Sequence, residues 1–127
     1  MLVVHISPYF DKLIYSPRKA PSMLSVPRLE MQVRIFGALA DPIRIKILLL
    51  LSDGERCVCE ILPAFERSQS TISKHLSILY NAGLLDRRIE GNRTIYSIKN
   101  RRVVELLETA DAIAIAHLSS LVESEGD

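Results

Sequence analysis

The sequence has few of the residues that stabilise secreted or membrane proteins. It contains no tryptophan and only two cysteines, one residue apart, so we do not expect disulfides that close distant loops. No apolar run approaches the ~20 residues of a membrane-spanning helix, and the apolar residues 2–6 are too few for a signal-peptide core. These absences predict a cytoplasmic protein with no membrane partner.

The composition is that of an ordinary globular domain, but its charge is unevenly distributed. The 127 residues are 48% hydrophobic and 24% charged, with a formal net charge of +1. Residues 66–102 contain eight Lys or Arg and three Asp or Glu, a balance of +5, whereas residues 103–127 contain six acids and no Lys or Arg. The basic segment favours a polyanionic partner, although charge alone is equally consistent with a solvated surface.

Two helices are predicted in the first half of the chain. Four prolines interrupt residues 1–28, which we interpret as an irregular arm. Residues 29–40 follow, with two apolar stripes at helical spacing. Asp41 is suited to cap a second helix and Pro42 to begin it. Residues 43–51 are apolar nearly all round, which predicts a central core helix.

The two cysteines, Cys57 and Cys59, lie in residues 55–65, which we predict to form a short helix. Side chains two residues apart on a regular helix point about 200° apart, so binding one ion to both sulfurs would require local distortion. Neighbouring thiols suit soft ions such as As(III), Sb(III), Cd(II), Pb(II) and Hg(II). The alternative is that both cysteines are ordinary small core residues.

A helix-turn-helix is predicted after the cysteines. Ser68 or Ser70 caps a helix that runs to Asn81 and ends at Gly83. Its apolar residues share one face, which leaves short hydroxyl, amide and basic side chains to face outward, where they suit base edges and phosphates. The DNA contacts predicted on this helix are Ser68, Gln69, Ser70, Thr71, Ser73, Lys74 and His75.

A basic β-hairpin is predicted directly after this helix. Residues 85–98 alternate apolar and polar side chains around Gly91 and Asn92, which suit the positive-φ positions of a tight turn. A hairpin in this place is a wing, and with the helix-turn-helix it favours double-stranded DNA as the partner. Its predicted DNA contacts are Arg87, Arg88 and Arg93.

The last predicted helix, residues 103–122, carries an apolar stripe wider than a small domain buries alone. We therefore predict a homodimer through the first and last helices. A dimer places two reading helices in successive major grooves, so we expect an operator with an inverted repeat. The predicted interface residues are Val33, Phe36, Leu107, Ala110, Ala114, His117, Leu118 and Leu121.

Five segments resemble the ArsR/SmtB family of metal-responsive repressors. They are residues 39–44 (LADPIR), 56–62 (RCVCEIL), 68–79 (SQSTISKHLSIL), 82–85 (AGLL) and 91–93 (GNR). The resemblance covers roughly residues 29–123. It implies a mainly α fold with a small β-hairpin, a dimeric winged helix-turn-helix domain over residues 29–123, a tail at 124–127, and release of DNA on binding a metal or metalloid ion.

Within that family, Cys57-Val-Cys59 followed by an acid resembles the metal-binding box of arsenite and cadmium/lead sensors, which implies that both cysteines are thiolate ligands. A third cysteine of arsenite sensors corresponds to Leu62 here, no cysteine precedes Cys57, and the Asp-x-His and His-x-x-Glu pairs of zinc sensors are absent. Two thiolates suit a trivalent metalloid, with solvent or a small thiol as third ligand, better than tetrahedral Zn(II). We predict a repressor that releases its operator when As(III) or Sb(III) binds, with no obligatory cofactor.

Other functions stay open on the sequence alone. One keeps the DNA reader and makes the thiols a redox switch, or assigns a different inducer (cadmium, lead, zinc or none). Another is a metal-handling or dimerisation module without a role on DNA. A thiol enzyme is the weakest alternative, because no base or oxyanion-binding group is identifiable near the cysteines in sequence, and we predict that the protein is not an enzyme.

Overall fold

The computed structural model describes residues 25–125, so residues 1–24 of the predicted arm and the last two residues of the predicted tail lie outside the described residues. In chain order the elements are α1 (Val26–Leu39), α2 (Pro42–Leu51), β1 (Arg56–Cys57), α3 (Val58–Ile61), α4 (Gln69–Asn81), β2 (Leu85–Glu90), β3 (Arg93–Ile98) and α5 (Arg101–Glu125). A 3₁₀ turn at Leu62–Ala64 links α3 and α4. Within this part of the chain no helix is long and apolar enough to cross a membrane.

The first two helices are separated by an aspartate cap. The Asp41 carboxylate accepts hydrogen bonds from the backbone N–H groups of Ile43 at 2.8 Å and Arg44 at 3.2 Å, which confirms the predicted start of α2. Helix α1 begins at Val26, three residues earlier than predicted. Pro27 does not break it, because a proline in the first turn lacks only an N–H that has no partner within the helix.

The core lies between α2, α4 and the start of the sheet. Ile47, Leu48 and Leu51 of α2 are buried, as are Ile72, Leu76 and Leu79 of α4. The prediction that α2 is central is confirmed, but the described residues leave its outer side uncovered, since Leu49 is 53% exposed.

The sheet has three antiparallel strands in the order β1, β3, β2, one more than the predicted hairpin. The hairpin runs from the pair Leu85 and Ile98 to the pair Glu90 and Arg93, as predicted. Of the two turn residues only Gly91 has a positive φ, +64°, which is the pattern of a type II′ turn and corrects the expectation for Asn92. Strand β1 is too short for an alternation of apolar and polar residues to reveal it in the sequence. Its pairing with β3 positions the cysteines against the wing.

Candidate nucleic-acid interface and thiol site

The reading helix α4 begins at a serine cap. The Ser68 hydroxyl oxygen accepts from the backbone N–H of Thr71 at 3.2 Å and also lies 2.9 Å from the Thr71 hydroxyl. This cap confirms one of the two predicted starts. Ile72, Leu76 and Leu79 of α4 face the core, and the rest of the helix surface is polar apart from the exposed Ile78. Gln69, Ser70 and Lys74 are exposed on it.

Three of the predicted DNA contacts on α4, Thr71, Ser73 and His75, are half-buried. The Nδ1 atom of His75 lies 3.1 Å from Nη1 of Arg44. A guanidinium group only donates, so Nδ1 is the acceptor in this contact. The structure therefore leaves only one edge of this imidazole available to other partners.

Arg44 links the reading helix to the end of α1. Its Nε donates to the carbonyl oxygen of Ala38 at 2.7 Å and its Nη2 to that of Gly37 at 3.3 Å. Sequence reasoning did not single out this arginine. The available signal was the first of two cations, three residues after the Asp41 cap, in a helix whose other residues are apolar. The three contacts fix the angle between α1, which is a predicted dimer helix, and α4.

The arginines of the wing are held by partners from other elements. The Arg88 guanidinium pairs with both oxygens of Glu55 and, at 3.1 Å, with Glu90. The hydrogen bond from Arg88 lowers the pKa of Glu55, and Glu55 raises that of Arg88. Arg87 stacks on the Tyr80 ring, 4.0 Å from its centroid. These groups are exposed, so each pair is weak. The pairs orient the arginines, and exchanging a carboxylate partner for a DNA phosphate costs little free energy.

The cysteines are not in one helix, which corrects the prediction of a helix over residues 55–65. Cys57 is the last residue of β1 and the cap of α3, with an extended backbone (φ −75°, ψ 160°), and Cys59 lies in the first turn of α3. The structure joins their sulfurs as a disulfide, with 5.2 Å between the Cα atoms. Cys57 is 1% exposed, whereas Cys59 is exposed. The two sulfurs therefore meet without the helix distortion that regular geometry would have required.

A glutamate connects the cysteines to the wing. One carboxylate oxygen of Glu60 accepts from the backbone N–H of Cys57 at 3.1 Å and from Nη2 of Arg93 at 3.4 Å. The first of these bonds belongs to a capping box that starts α3. The Glu60 side chain therefore links the backbone at Cys57 to the hairpin, in addition to the strand pairing of Cys57 with Ile95.

A cleft of about 360 Å³ opens between the cysteines, the reading helix and the wing. Its walls include Cys57 and Cys59 on one side, Gln69 and Ser73 of α4 on another, and Arg93 of the hairpin. Among residues 25–125 no three or more His, Cys, Asp or Glu side chains are grouped so that they could hold a metal ion. The donor set that the chain offers in this cleft is the two sulfurs, which fits a soft ion that completes its coordination from outside.

The predicted dimer residues lie on α1 and α5. Leu107 packs partly against its own core, while Phe36 is 61% and Leu118 60% exposed. From Glu108 onward every described side chain of α5 is exposed, including four more large apolar residues. His117, Ala110 and Ala114 lie on this exposed part of the helix, and Val33 and Leu121 are exposed as well. Among residues 25–125, no element buries the side chains of the second half of α5.

The fold and the site define a small winged helix-turn-helix regulator, and comparison with known proteins identifies its family. Residues 41–87 match the model of the bacterial regulatory protein, arsR family. The chain is 41% identical over 85 residues to an HTH-type transcriptional regulator of Methanocaldococcus jannaschii, which covers 66% of this chain and 96% of that protein. The chain belongs to the ArsR family of transcriptional repressors and is not an enzyme.

Other relatives differ in the ions named in their descriptions. An arsenical resistance operon repressor of Escherichia coli is 42% identical, over 54% of this chain and 59% of that protein. A homolog of a cadmium resistance regulator from Staphylococcus aureus is 41% identical, over 61% of this chain and 64% of that protein. The chain spans less than two thirds of each of these two relatives.

A solved structure supports the architecture. The homodimeric winged helix-turn-helix domain of a possible ArsR-family regulator from Mycobacterium bovis, determined by NMR, is 35% identical, with a TM-score of 0.68 over 84% of this chain and 93% of that one. This comparison confirms the predicted fold class. The individual DNA, metal and interface residues remain predictions.

Proposed function

We propose that the protein is a homodimeric repressor that releases operator DNA when a thiophilic ion, As(III) or Sb(III), binds the reduced sulfurs of Cys57 and Cys59. The observation that carries the proposal is the shared cleft, since the two sulfurs and three of the predicted DNA contacts, Gln69, Ser73 and Arg93, line the same space. An ion bound there lies against both the reading helix and the wing. The arsenical resistance repressor among the relatives supports this choice of ion.

The proposed release is a change in the position of the wing and the reading helix. Ion binding requires deprotonated thiols, and it moves the cap residue Cys57, whose N–H is bonded to Glu60 and through Glu60 to Arg93. A coupling of about 1–3 kcal/mol would weaken DNA binding by roughly 5- to 150-fold. The dimer presents two reading helices, so the operator is expected to contain an inverted repeat.

The test is a titration of labelled upstream-promoter DNA with reduced protein, with and without stoichiometric arsenite, followed by fluorescence anisotropy. We expect arsenite to weaken binding of the unaltered protein and to have no effect on the double variant Cys57→Ser, Cys59→Ser. Ser73→Ala is a matched control, because it alters the same cleft and leaves both thiols. If the serine double variant still released DNA with arsenite, the proposal would be wrong.

A second function is favoured by the joined sulfurs. In this alternative the same pair is a redox switch, in which two thiols and one hydrogen peroxide give a disulfide and two waters. Mild peroxide should then remove two hydrogen masses from the reduced protein and change its DNA affinity in the absence of any ion. Peroxide that leaves DNA binding unchanged would exclude this switch.

A further inference from the structure

The thiol cleft is much larger than the ion it is proposed to bind. We propose that its full ligand is a trivalent metalloid together with one small thiol that carries a carboxylate, and that Arg93 binds this carboxylate. The inference rests on the proposed function of Cys57 and Cys59 and adds the third ligand to it. Three features support it: the number of protein donors, the volume of the cleft, and the position of Arg93.

The first feature is the number of donors. A trivalent metalloid such as As(III) takes three ligands, and Cys57 and Cys59 supply two sulfurs. No grouping of three or more potential ligands occurs in the described part of the chain. Glu60 is the nearest carboxylate in sequence, and it is already bonded to the backbone of Cys57 and to Arg93. Within residues 25–125 the chain offers no free third ligand beside the two sulfurs, so the third ligand is taken from solution.

The second feature is volume. A metalloid atom with one hydroxyl group fills on the order of two water volumes, about 60 Å³, whereas the cleft measures about 360 Å³. This volume lies at the lower end of the range of small-molecule sites. Its remaining walls combine the side chains of Val58, Leu62 and Tyr96 with amide, hydroxyl and guanidinium groups, which come from Gln69, Asn92, Ser73, Thr94 and Arg93. Such walls favour a polar ligand that accepts hydrogen bonds.

The third feature is the position of Arg93. Cys57 pairs with Ile95 across β1 and β3, and Arg93 lies two residues before Ile95, on the same face of the strand and about 7 Å along it. The guanidinium is half exposed and its bond to Glu60 is long, 3.4 Å. Five N–H donors leave it able to bind a second carboxylate. A carboxylate two carbons from a metalloid-bound sulfur lies within reach of this group.

The chemistry involves no change of oxidation state. One As(OH)₃, the two protein S–H groups and one R–SH form three As–S bonds, while three As–O and three S–H bonds break and three waters leave. The resulting ligand extends from the sulfurs towards Gln69 and Ser73 of the reading helix. We therefore expect the thiol to increase both the affinity for arsenite and the extent of DNA release.

The experiment uses three thiols of the same length, 3-mercaptopropionate (anionic), 2-mercaptoethanol (neutral) and cysteamine (cationic), each present at the arsenite concentration. Arsenite is titrated into the protein without DNA, in a phosphine reductant, and followed by As–S absorbance and native mass spectrometry. We expect a complex of one arsenic and one thiol per protomer, with roughly fivefold tighter arsenite binding for the anionic thiol than for the neutral one.

The matched variants are Arg93→Gln in the cleft and Arg102→Gln in the first turn of α5, where an exposed arginine is removed outside the cleft. Arg93→Gln should abolish the preference for the anionic thiol, and Arg102→Gln should retain it. An equal preference in unaltered protein and Arg93→Gln, or a complex that contains arsenic but no thiol, would overturn the inference. Absence of arsenite binding with every thiol would instead contradict the proposed function itself.

Discussion

The edge of the molecule that faces DNA and the second half of α5 are both highly exposed, but they are held in different ways. At the DNA edge, charged side chains have partners from distant parts of the chain, such as Arg88 with Glu55 and Arg93 with Glu60. In α5, from residue 108 onward, exposed apolar side chains such as Leu118 are not covered by the described residues 25–125. The comparison indicates that the side chains of the reading surface are held within these residues, whereas we expect a second copy to cover the last helix.

The largest expected effect is on the apolar half of α5. Leu118→Glu places a charge in the proposed interface, where burying it would cost several kcal/mol, so the dimer dissociation constant should rise by more than about 100-fold. Sedimentation velocity over a range of concentrations measures this. Ser119→Glu, about 100° further round the same helix, should leave the dimer nearly unchanged. Equal effects of both substitutions would contradict an interface on the predicted stripe.

A smaller effect is expected at the reading helix. Lys74 is exposed on the polar face of α4, and we expect it to contact a phosphate. Lys74→Gln should weaken operator binding several-fold and reduce the slope of log affinity against log salt by about 0.9 per contacted phosphate, hence by about two in a dimer. Lys46→Gln, on the exposed side of α2, is the control. A salt slope unchanged by Lys74→Gln would remove this residue from the interface.

The smallest effect is expected outside both regions, at the Asp41 cap between α1 and α2. Partial burial raises the pKa of Asp41. Hydrogen bonds from the backbone of Arg44 and Ile43, together with the charges of Arg44 and His75, lower it by more, so the pKa of Asp41 lies below the ordinary 3.8. Its charge therefore stabilises the fold above about pH 4, and this contribution is lost as the pH falls through the folded-state pKa.

Two substitutions at Asp41 separate the cap from its charge. Asp41→Ala should lower the free energy of unfolding by about 1 kcal/mol at pH 7. Asp41→Asn should keep most of the cap at pH 7 and flatten the loss of stability below about pH 4. Urea unfolding at pH 7 and pH 3 measures both changes. If the free energy of unfolding of Asp41→Asn fell as much between pH 7 and pH 3 as that of the unaltered protein, another carboxylate would be responsible for the loss of stability in acid.

The elements that the sequence predicted well depend on neighbouring residues. The caps Asp41 and Ser68 and the turn at Gly91 each act within four residues, so their side chains specify the local backbone directly. The spacing of apolar and polar residues along the helix then placed Ile72 in the core and Lys74 on the surface. These local signals were enough to predict the winged helix-turn-helix.

The features that the sequence did not predict depend on contacts between distant residues. Glu55 and Arg88 are 33 positions apart, and Arg44 and His75 are 31 apart. The pairing of Cys57 with Ile95 makes β1 a strand and gives Cys57 an extended backbone instead of a helical one. Such contacts follow from the folded arrangement of whole elements, which residue spacing along one segment does not determine. The cleft shared by the thiols and the reading helix arises in the same way.

The most direct test of the central claim, that the thiol pair and the DNA reader are coupled, is the affinity of the reduced protein for arsenite with and without saturating operator DNA. Coupling between two binding sites is reciprocal. We therefore expect operator DNA to weaken arsenite binding by the same factor by which arsenite weakens operator binding, roughly 5- to 150-fold. An arsenite affinity that operator DNA leaves unchanged would contradict the account.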